Sequence, residues 1–213
     1  MKSILVIGMG KFGKMLATKM MELGNNVMIV DKNEEVINEL APQFSNALIG
    51  NCTNEGVLRS LGVNNFDYCF VAIGDDFQSS LEITSQLKEL KAKYVISKAE
   101  RDIQAKFLLR NGADEIIYPE KDVVNKFAIR ISEDKIFDFI ELSKDYAIIE
   151  IAIPKKWVGC NLIDLDIRNE YQVNVLAVRK NGVLKPIVDA NYVFEQDDHA
   201  MVIGDPTKID KIN

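Results

Sequence analysis

Ser3-Ile4-Leu5-Val6-Ile7-Gly8-Met9-Gly10-Lys11-Phe12-Gly13 is the stretch that decides how this chain folds. Four consecutive aliphatic residues, Ile4 to Ile7, are what a strand buried on both faces needs. Three glycines follow in the spacing Gly-x-Gly-x-x-Gly, and a helical pattern over Phe12–Leu23 comes next. A strand, this turn and a helix in succession form a phosphate-binding unit of the Rossmann type. Gly8 permits the tight turn, Gly10 lets the backbone approach a pyrophosphate, and Gly13 lets helix and strand pack closely. The helix N-terminus presents N–H groups and partial positive charge to the phosphates.

Asp31 ends the second apolar run, Asn26–Val30, eighteen positions after Gly13. That is close to the roughly 20 expected of a carboxylate that holds ribose hydroxyls. The plainer alternative is a strand-end carboxylate serving a turn. An acid there repels a 2′-phosphate, so NADP is disfavoured, whereas NAD, NADH, ATP, ADP and AMP all present the same adenosine end.

Further strands are expected at Ala47–Ile49, Tyr68–Ala72, Tyr94–Ser97 and Glu115–Tyr118. Helices are expected between them at Glu34–Leu40, Asn54–Leu61, Phe77–Leu90 and Ile103–Asn111, with Lys121–Ile131 closing the series. Strands alternating with helices imply right-handed βαβ units and a six-stranded parallel sheet. Gly24, Gly62 and Gly112 each fall just past a helix, where a left-handed cap is wanted. The pattern changes after Ile131. The polar run Ser132-Glu133-Asp134-Lys135 marks a boundary, giving a nucleotide-binding domain over 1–134 and a small α+β domain over 135–213. In the second half, strands are expected at Phe137–Leu142, Ala147–Ile153, Val173–Arg179, Val183–Ile187 and His199–Ile203. One short helix is expected at Leu162–Tyr171, and Asn181-Gly182 is a strong hairpin signal.

Ligands of such sheets bind outside the carboxyl ends of the strands, and this selects the remaining candidates. Lys11 and Phe12 lie in the glycine turn, and Lys32 follows Asp31. After the third strand, Asn51 can hydrogen-bond adenine beside Cys52, and Thr53 is either a contact or a helix cap. After the fourth, Ala72, Ile73 and Gly74 can line base or ribose, while Asp75 can cap the next helix. Lys98 follows the fifth strand and is either a phosphate partner or a solvated lysine. Glu120 lies at a helix start, either as a favourable charge on the helix dipole or as a metal ligand.

The composition is that of an ordinary globular protein, 47% apolar and 27% charged. A net charge of -6 argues against a nucleic-acid partner, which requires a basic face. No apolar run approaches the roughly 20 residues of a membrane span. The three cysteines, Cys52, Cys69 and Cys160, have neither zinc nor disulfide spacing, which fits reduced thiols and a cytoplasmic location. Catalytic equipment is sparse. The single histidine, His199, lies in the final strand and reads as structural. Cys52 has no histidine partner and reads as a small packed residue. Trp157 is expected to be half-buried. The chain therefore reads as a sensor rather than an enzyme, the alternative being a small NAD-dependent oxidoreductase or NAD(H) sensor.

Taken together, these motifs resemble the cytoplasmic regulatory subunits of Ktr/Trk potassium-uptake systems, the RCK-domain family, over essentially the full length. Ile7–Gly13, Val30-Asp31, Gly50–Thr53, Val71–Gly74 and Ala113–Asp122 carry the resemblance in the first half. Leu162–Arg168, Val175–Val178 and Gln196-Asp197-Asp198 with Val202-Ile203-Gly204 carry it in the second. The resemblance implies homodimers assembling into an octameric ring beneath a membrane-embedded potassium channel subunit, peripheral to the inner face of the membrane. It implies competing ATP and ADP in the Rossmann crevice. It also implies a divalent cation, Mg or Ca, on Glu120 near the phosphates, between paired subunits. In the second domain it implies cyclic di-AMP at a dimer interface, with Leu162, Ile163, Asp166, Arg168, Val175 and Pro186 at the matching positions. Position 11 departs from the pattern: family members often carry Arg there, and Lys11 supplies charge without a bidentate fork.

Overall fold

The computed structural model describes residues 1–132, 136–143, 145–186, 188–209 and 212. The chain separates into two compact units, Met1–Glu120 and Lys121–Asn213. The expected boundary after Asp134 falls on residues outside this description.

The first unit contains six parallel strands: β1 (Ser3–Ile7), β2 (Asn26–Asp31), β3 (Asn46–Ile49), β4 (Tyr68–Val71), β5 (Val95–Lys98) and β6 (Glu115–Ile117). Their order in the sheet is β3-β2-β1-β4-β5-β6. The chain winds outward from β1 in one direction and then, after β3, crosses to β4 on its other side. That reversal opens a crevice at the carboxyl ends of β1 and β4. The connecting helices are α1 (Lys11–Glu22), α2 (Glu34–Leu40), α3 (Glu55–Leu61), α4 (Phe77–Glu89) and α5 (Asp102–Arg110), and α6 (Pro119–Ser132) follows β6.

Side chains on the two faces of β1 build two cores. Leu5 and Ile7 pack with Leu58, Ile83 and Leu87, and Ile4 and Val6 pack with Ala17, Ile29 and Ile37. The four aliphatic side chains of β1, Ile4 to Ile7, are at most 2% exposed, so the aliphatic run signals burial on both faces. The expected left-handed caps occur at Gly24, Gly62 and Gly112, with φ of 80°, 62° and 114°.

The second unit is built on an antiparallel sheet ordered β10-β9-β11-β8-β7. Its strands are β7 (Ile136–Glu141), β8 (Ala147–Ala152), β9 (Asn174–Lys180), β10 (Val183–Lys185) and β11 (His199–Gly204). Asn181 and Gly182, at φ of 50° and 78°, make the β9–β10 turn. Ile187, at the end of the expected strand there, lies outside the described residues. The expected helix over Leu162–Tyr171 is two short helices, α7 (Leu162–Leu165) and α8 (Ile167–Glu170), and a last helix, α9, covers Pro206–Ile209. Asp166 interrupts the helix with φ 41° and ψ 42°. That left-handed conformation is one an aspartate tolerates better than most residues. Trp157 is fully buried rather than half-buried, packed against Tyr171 and Phe194. On β8, the buried Glu150 accepts a two-pronged pair from Arg179 at 2.8 and 2.9 Å and lies 3.1 Å from His199 Nδ1. His199 is thus a structural partner of a buried carboxylate.

Candidate functional site

A cleft of about 590 Å³ opens at the carboxyl ends of the parallel strands. Gly8, Gly10, Lys11, Phe12, Asp31, Lys32, Asn51, Cys52, Ala72, Ile73, Gly74, Lys98 and Glu120 all line it. Residues spread over more than a hundred positions of sequence thus converge on one space. Gly13 does not line the cleft. A methyl group there would lie 1.9 Å from Gly8 O and 3.3 Å from Ala72 Cβ, so its hydrogen is what lets α1 approach the turn. Gly8 turns at φ 97° against Ile73. A methyl group on Gly10, by contrast, would meet nothing within 4 Å. The backbone at Gly10 therefore faces open space in the cleft.

The N-terminus of α1 differs from those of the next three helices. Asn33, Asn54 and Asp76 cap α2, α3 and α4 with their side chains. Gly10 offers α1 no such cap, and its first turn contains no acid. The first N–H groups of a helix need partners, and α1 points its own toward the cleft with Lys11 beside them. A phosphate supplies both the acceptors and the negative charge. On this ground the residues fit a nucleotide.

Asp31 anchors the turn. Its Oδ2 accepts the Met9 N–H at 2.6 Å, and Oδ1 accepts the Asn33 N–H at 2.8 Å. The carboxylate thus ties the glycine turn to β2, as the turn reading expects, and it also lines the cleft. Asn51 Oδ1 accepts from the N–H and hydroxyl of Thr53 at 3.1 and 2.9 Å. Thr53 caps nothing, because Asn54 one residue later accepts the Gly56 N–H. In the same way Asp76, not Asp75, caps α4, accepting from Ser79 N–H at 3.1 Å and from its hydroxyl at 2.7 Å. In each pair it is the residue directly before the helix whose side chain accepts from the first turn. Cys52 is 3% exposed. Burial, reinforced by the nearby Asp31 charge, pushes its thiol up to about 12, so it stays protonated and packs as an apolar group.

Lys98 is no solvated lysine, its side chain being 11% exposed. Its ammonium lies 3.1 Å from Glu100 Oε1 and 3.4 Å from Glu120 Oε1. Burial works against the charge, but the Glu100 hydrogen bond and the charges of Glu120 and Glu100 outweigh it and hold the pKa above the ordinary lysine value. Sequence reasoning missed Glu100 altogether. Its only local signal is a charge two residues beyond Lys98. Among the described residues, no group of three or more His, Cys, Asp or Glu side chains is placed to hold a metal. Within one chain Glu120 is paired with Lys98.

Of the six positions singled out in the second unit, five lie on or between α7, α8 and β9, and Pro186 follows β10. Ile163, Asp166, Arg168 and Pro186 are exposed, and Leu162 and Val175 are half-buried against its core.

Two domain models match the chain: the TrkA-N domain over residues 4–119 and the TrkA-C domain over residues 146–213. The chain is 38% identical to the Ktr system potassium uptake protein C of Bacillus subtilis, covering 99% of this chain and 95% of that protein. It is 36% identical to the Ktr system potassium uptake protein A of the same organism, over 95% and 91% of the two chains. Among solved structures, the GsuK channel bound to NAD superposes with a TM-score of 0.69 at 15% identity, over 99% of this chain and 38% of that one. At that identity the superposition speaks for the fold. Two domain matches and relatives similar from end to end establish that the chain belongs to the family of Ktr-type potassium-uptake proteins that join a TrkA-N domain to a TrkA-C domain.

Proposed function

We propose that this chain is the regulatory subunit of a potassium-uptake system, in which a nucleotide held in the first unit sets the conductance of a membrane-embedded channel subunit. The observation that carries this reading is the likeness to Ktr system potassium uptake proteins over nearly the whole chain. No helix among the described residues is long and apolar enough to cross a membrane, which fits a chain that acts through a separate membrane partner. The uncapped N-terminus of α1, the open face of Gly10 and the Asp31 carboxylate together suit the phosphates and ribose of ATP or ADP.

An enzyme reading finds less support. The one histidine is tied to Glu150 in the second unit, and burial keeps the Cys52 thiol protonated. The mechanism is therefore one of linkage. A nucleotide that binds two conformations of the assembly unequally shifts their populations by that difference in binding free energy. The assembly is a homodimer repeated into a ring, and Glu120, 62% exposed, is the residue that would share a divalent cation with a second copy. In the second unit, Ile163, Asp166, Arg168 and Pro186 are exposed and would face cyclic di-AMP at a dimer interface, with the Arg168 guanidinium bridging a phosphate.

Potassium-limited growth of cells lacking this chain tests the reading. Uptake should fall, return with the wild-type gene, and fail to return with Gly10→Ala. Undiminished uptake without the chain overturns the proposal.

A further inference from the structure

We propose that Glu100 sets the nucleotide selectivity of the cleft by occupying Lys98 and so disfavouring ligands with free terminal phosphate charge. This rests on the nucleotide-binding reading above and adds a residue which that reading does not contain.

The placement of Glu100 is tightly determined. Its N–H donates to the side chain of the buried Gln104 at 3.0 Å, and its carbonyl accepts the hydroxyl of Tyr118. With the backbone held on both sides, the carboxylate lies back over the cleft against Gly74. A methyl group on Gly74 would lie 2.2 Å from Glu100 Oε1 and 2.9 Å from Lys98 Nζ. The ion pair thus rests directly on the glycine at the end of β4, in the same cleft as the α1 N-terminus.

Lys98 is the least exposed of the three lysines of the cleft lining, Lys11 and Lys32 being exposed, and two carboxylates already flank its charge. The lining as a whole holds three lysines against five carboxylates, so it is acidic before any ligand arrives. A terminal phosphate that approaches Lys98 must either displace Glu100 or accept a like charge a few ångströms away. A pyrophosphate diester such as NAD has no terminal phosphate and avoids the conflict, because the α1 N-terminus can serve its two phosphates. The penalty from Glu100 should therefore climb with free phosphate charge, from AMP to ADP to ATP.

The test is calorimetric titration of the full chain and of Glu100→Gln with AMP, ADP, ATP and NAD in EDTA, so that no cation bridges phosphate and carboxylate. The substitution retains both backbone hydrogen bonds, and circular dichroism verifies the fold. The expected result is a gain in ATP affinity of roughly tenfold, the size one unit charge has at short range in a partly exposed site. The gain should be smaller for ADP, smaller again for AMP, and within about twofold of no change for NAD. An equal gain for all four ligands, or a loss for all four, overturns the selectivity role while leaving the nucleotide site intact. Failure of every nucleotide to bind either protein overturns the nucleotide reading and this proposal with it.

Discussion

Gly10 and Gly13, three residues apart in one turn, should fail in opposite ways when each is replaced by alanine. At Gly13 the new Cβ would stand 1.9 Å from the Gly8 carbonyl oxygen, and that oxygen belongs to backbone rather than to a flexible side chain. Relief requires α1 or the turn to move by more than an ångström. Overpacking of this kind costs about 1–3 kcal/mol, and the contact is severe enough to place it near the upper end. Gly13 is also the third residue of α1, where alanine improves helix propensity by about 1 kcal/mol. The net loss is then about 2 kcal/mol, or roughly 8 °C in Tm for a unit of this size. At Gly10 the new Cβ would meet nothing within 4 Å, and φ is −65°, a value open to any residue. Only the modest preference of helix N-caps for glycine over alanine is lost, well under about 1 kcal/mol.

The assay pairs thermal denaturation of the nucleotide-free protein with calorimetric titration of ADP. Gly13→Ala should melt early. Gly10→Ala should melt near wild type yet bind ADP at least tenfold more weakly, because the methyl group occupies the space through which a phosphate reaches the α1 N–H groups. Wild-type ADP affinity in Gly10→Ala would refute the placement of the phosphates. An unchanged Tm in Gly13→Ala would refute the packing argument.

Three further outcomes are expected. The Arg179 hydrogen bond outweighs burial and, with His199, holds the Glu150 carboxyl below the ordinary range. Its stabilisation is therefore complete above the unfolded glutamate value of about 4.3 and lost as pH falls through the depressed folded value; denaturation of wild type and Glu150→Gln from pH 3 to 6 should show this slope only in wild type. Trp157→Ala should cost about 3–5 kcal/mol by opening a cavity in a fully buried site. Trp157→Phe should cost far less, since it also removes a buried indole N–H that has no partner among the described residues, and urea denaturation of the two variants separates the effects. The Cys52 thiol, raised to about 12 by burial and Asp31, should resist alkylation by iodoacetamide at neutral pH in the folded chain and react on denaturation, as read by mass spectrometry.

Most of the first unit was legible because its signals are local. The Ile4–Ile7 run and the three glycines state a buried strand, a tight turn and a helix start within eleven residues, and β1 and α2 occur at the expected limits. The carboxylate at Asp31 was readable from spacing, since one βαβ unit has a nearly constant length. The caps show where such reading stops. Thr53 and Asn54, or Asp75 and Asp76, are chemically equivalent caps one position apart, and only the backbone dihedrals reached after packing choose between them. The helix broken at Asp166 is a similar case, because the periodicity runs on through it while the backbone turns left-handed.

The sequence alone determined the alternating fold, the glycine turn and about half of the residues that line the cleft, because each of these depends on neighbours within a turn of helix or a strand. Only the tertiary structure decided what those residues do to one another. Lys98 and Glu120 are twenty-two positions apart and meet because β5 and β6 are adjacent in the sheet and α6 begins where β6 ends. Glu100, held against Gly74 by a hydrogen bond to Gln104 and one from Tyr118, becomes part of the site for the same reason. Charge pairing depends on distance through space, and a linear pattern carries no measure of it until the strands are in order.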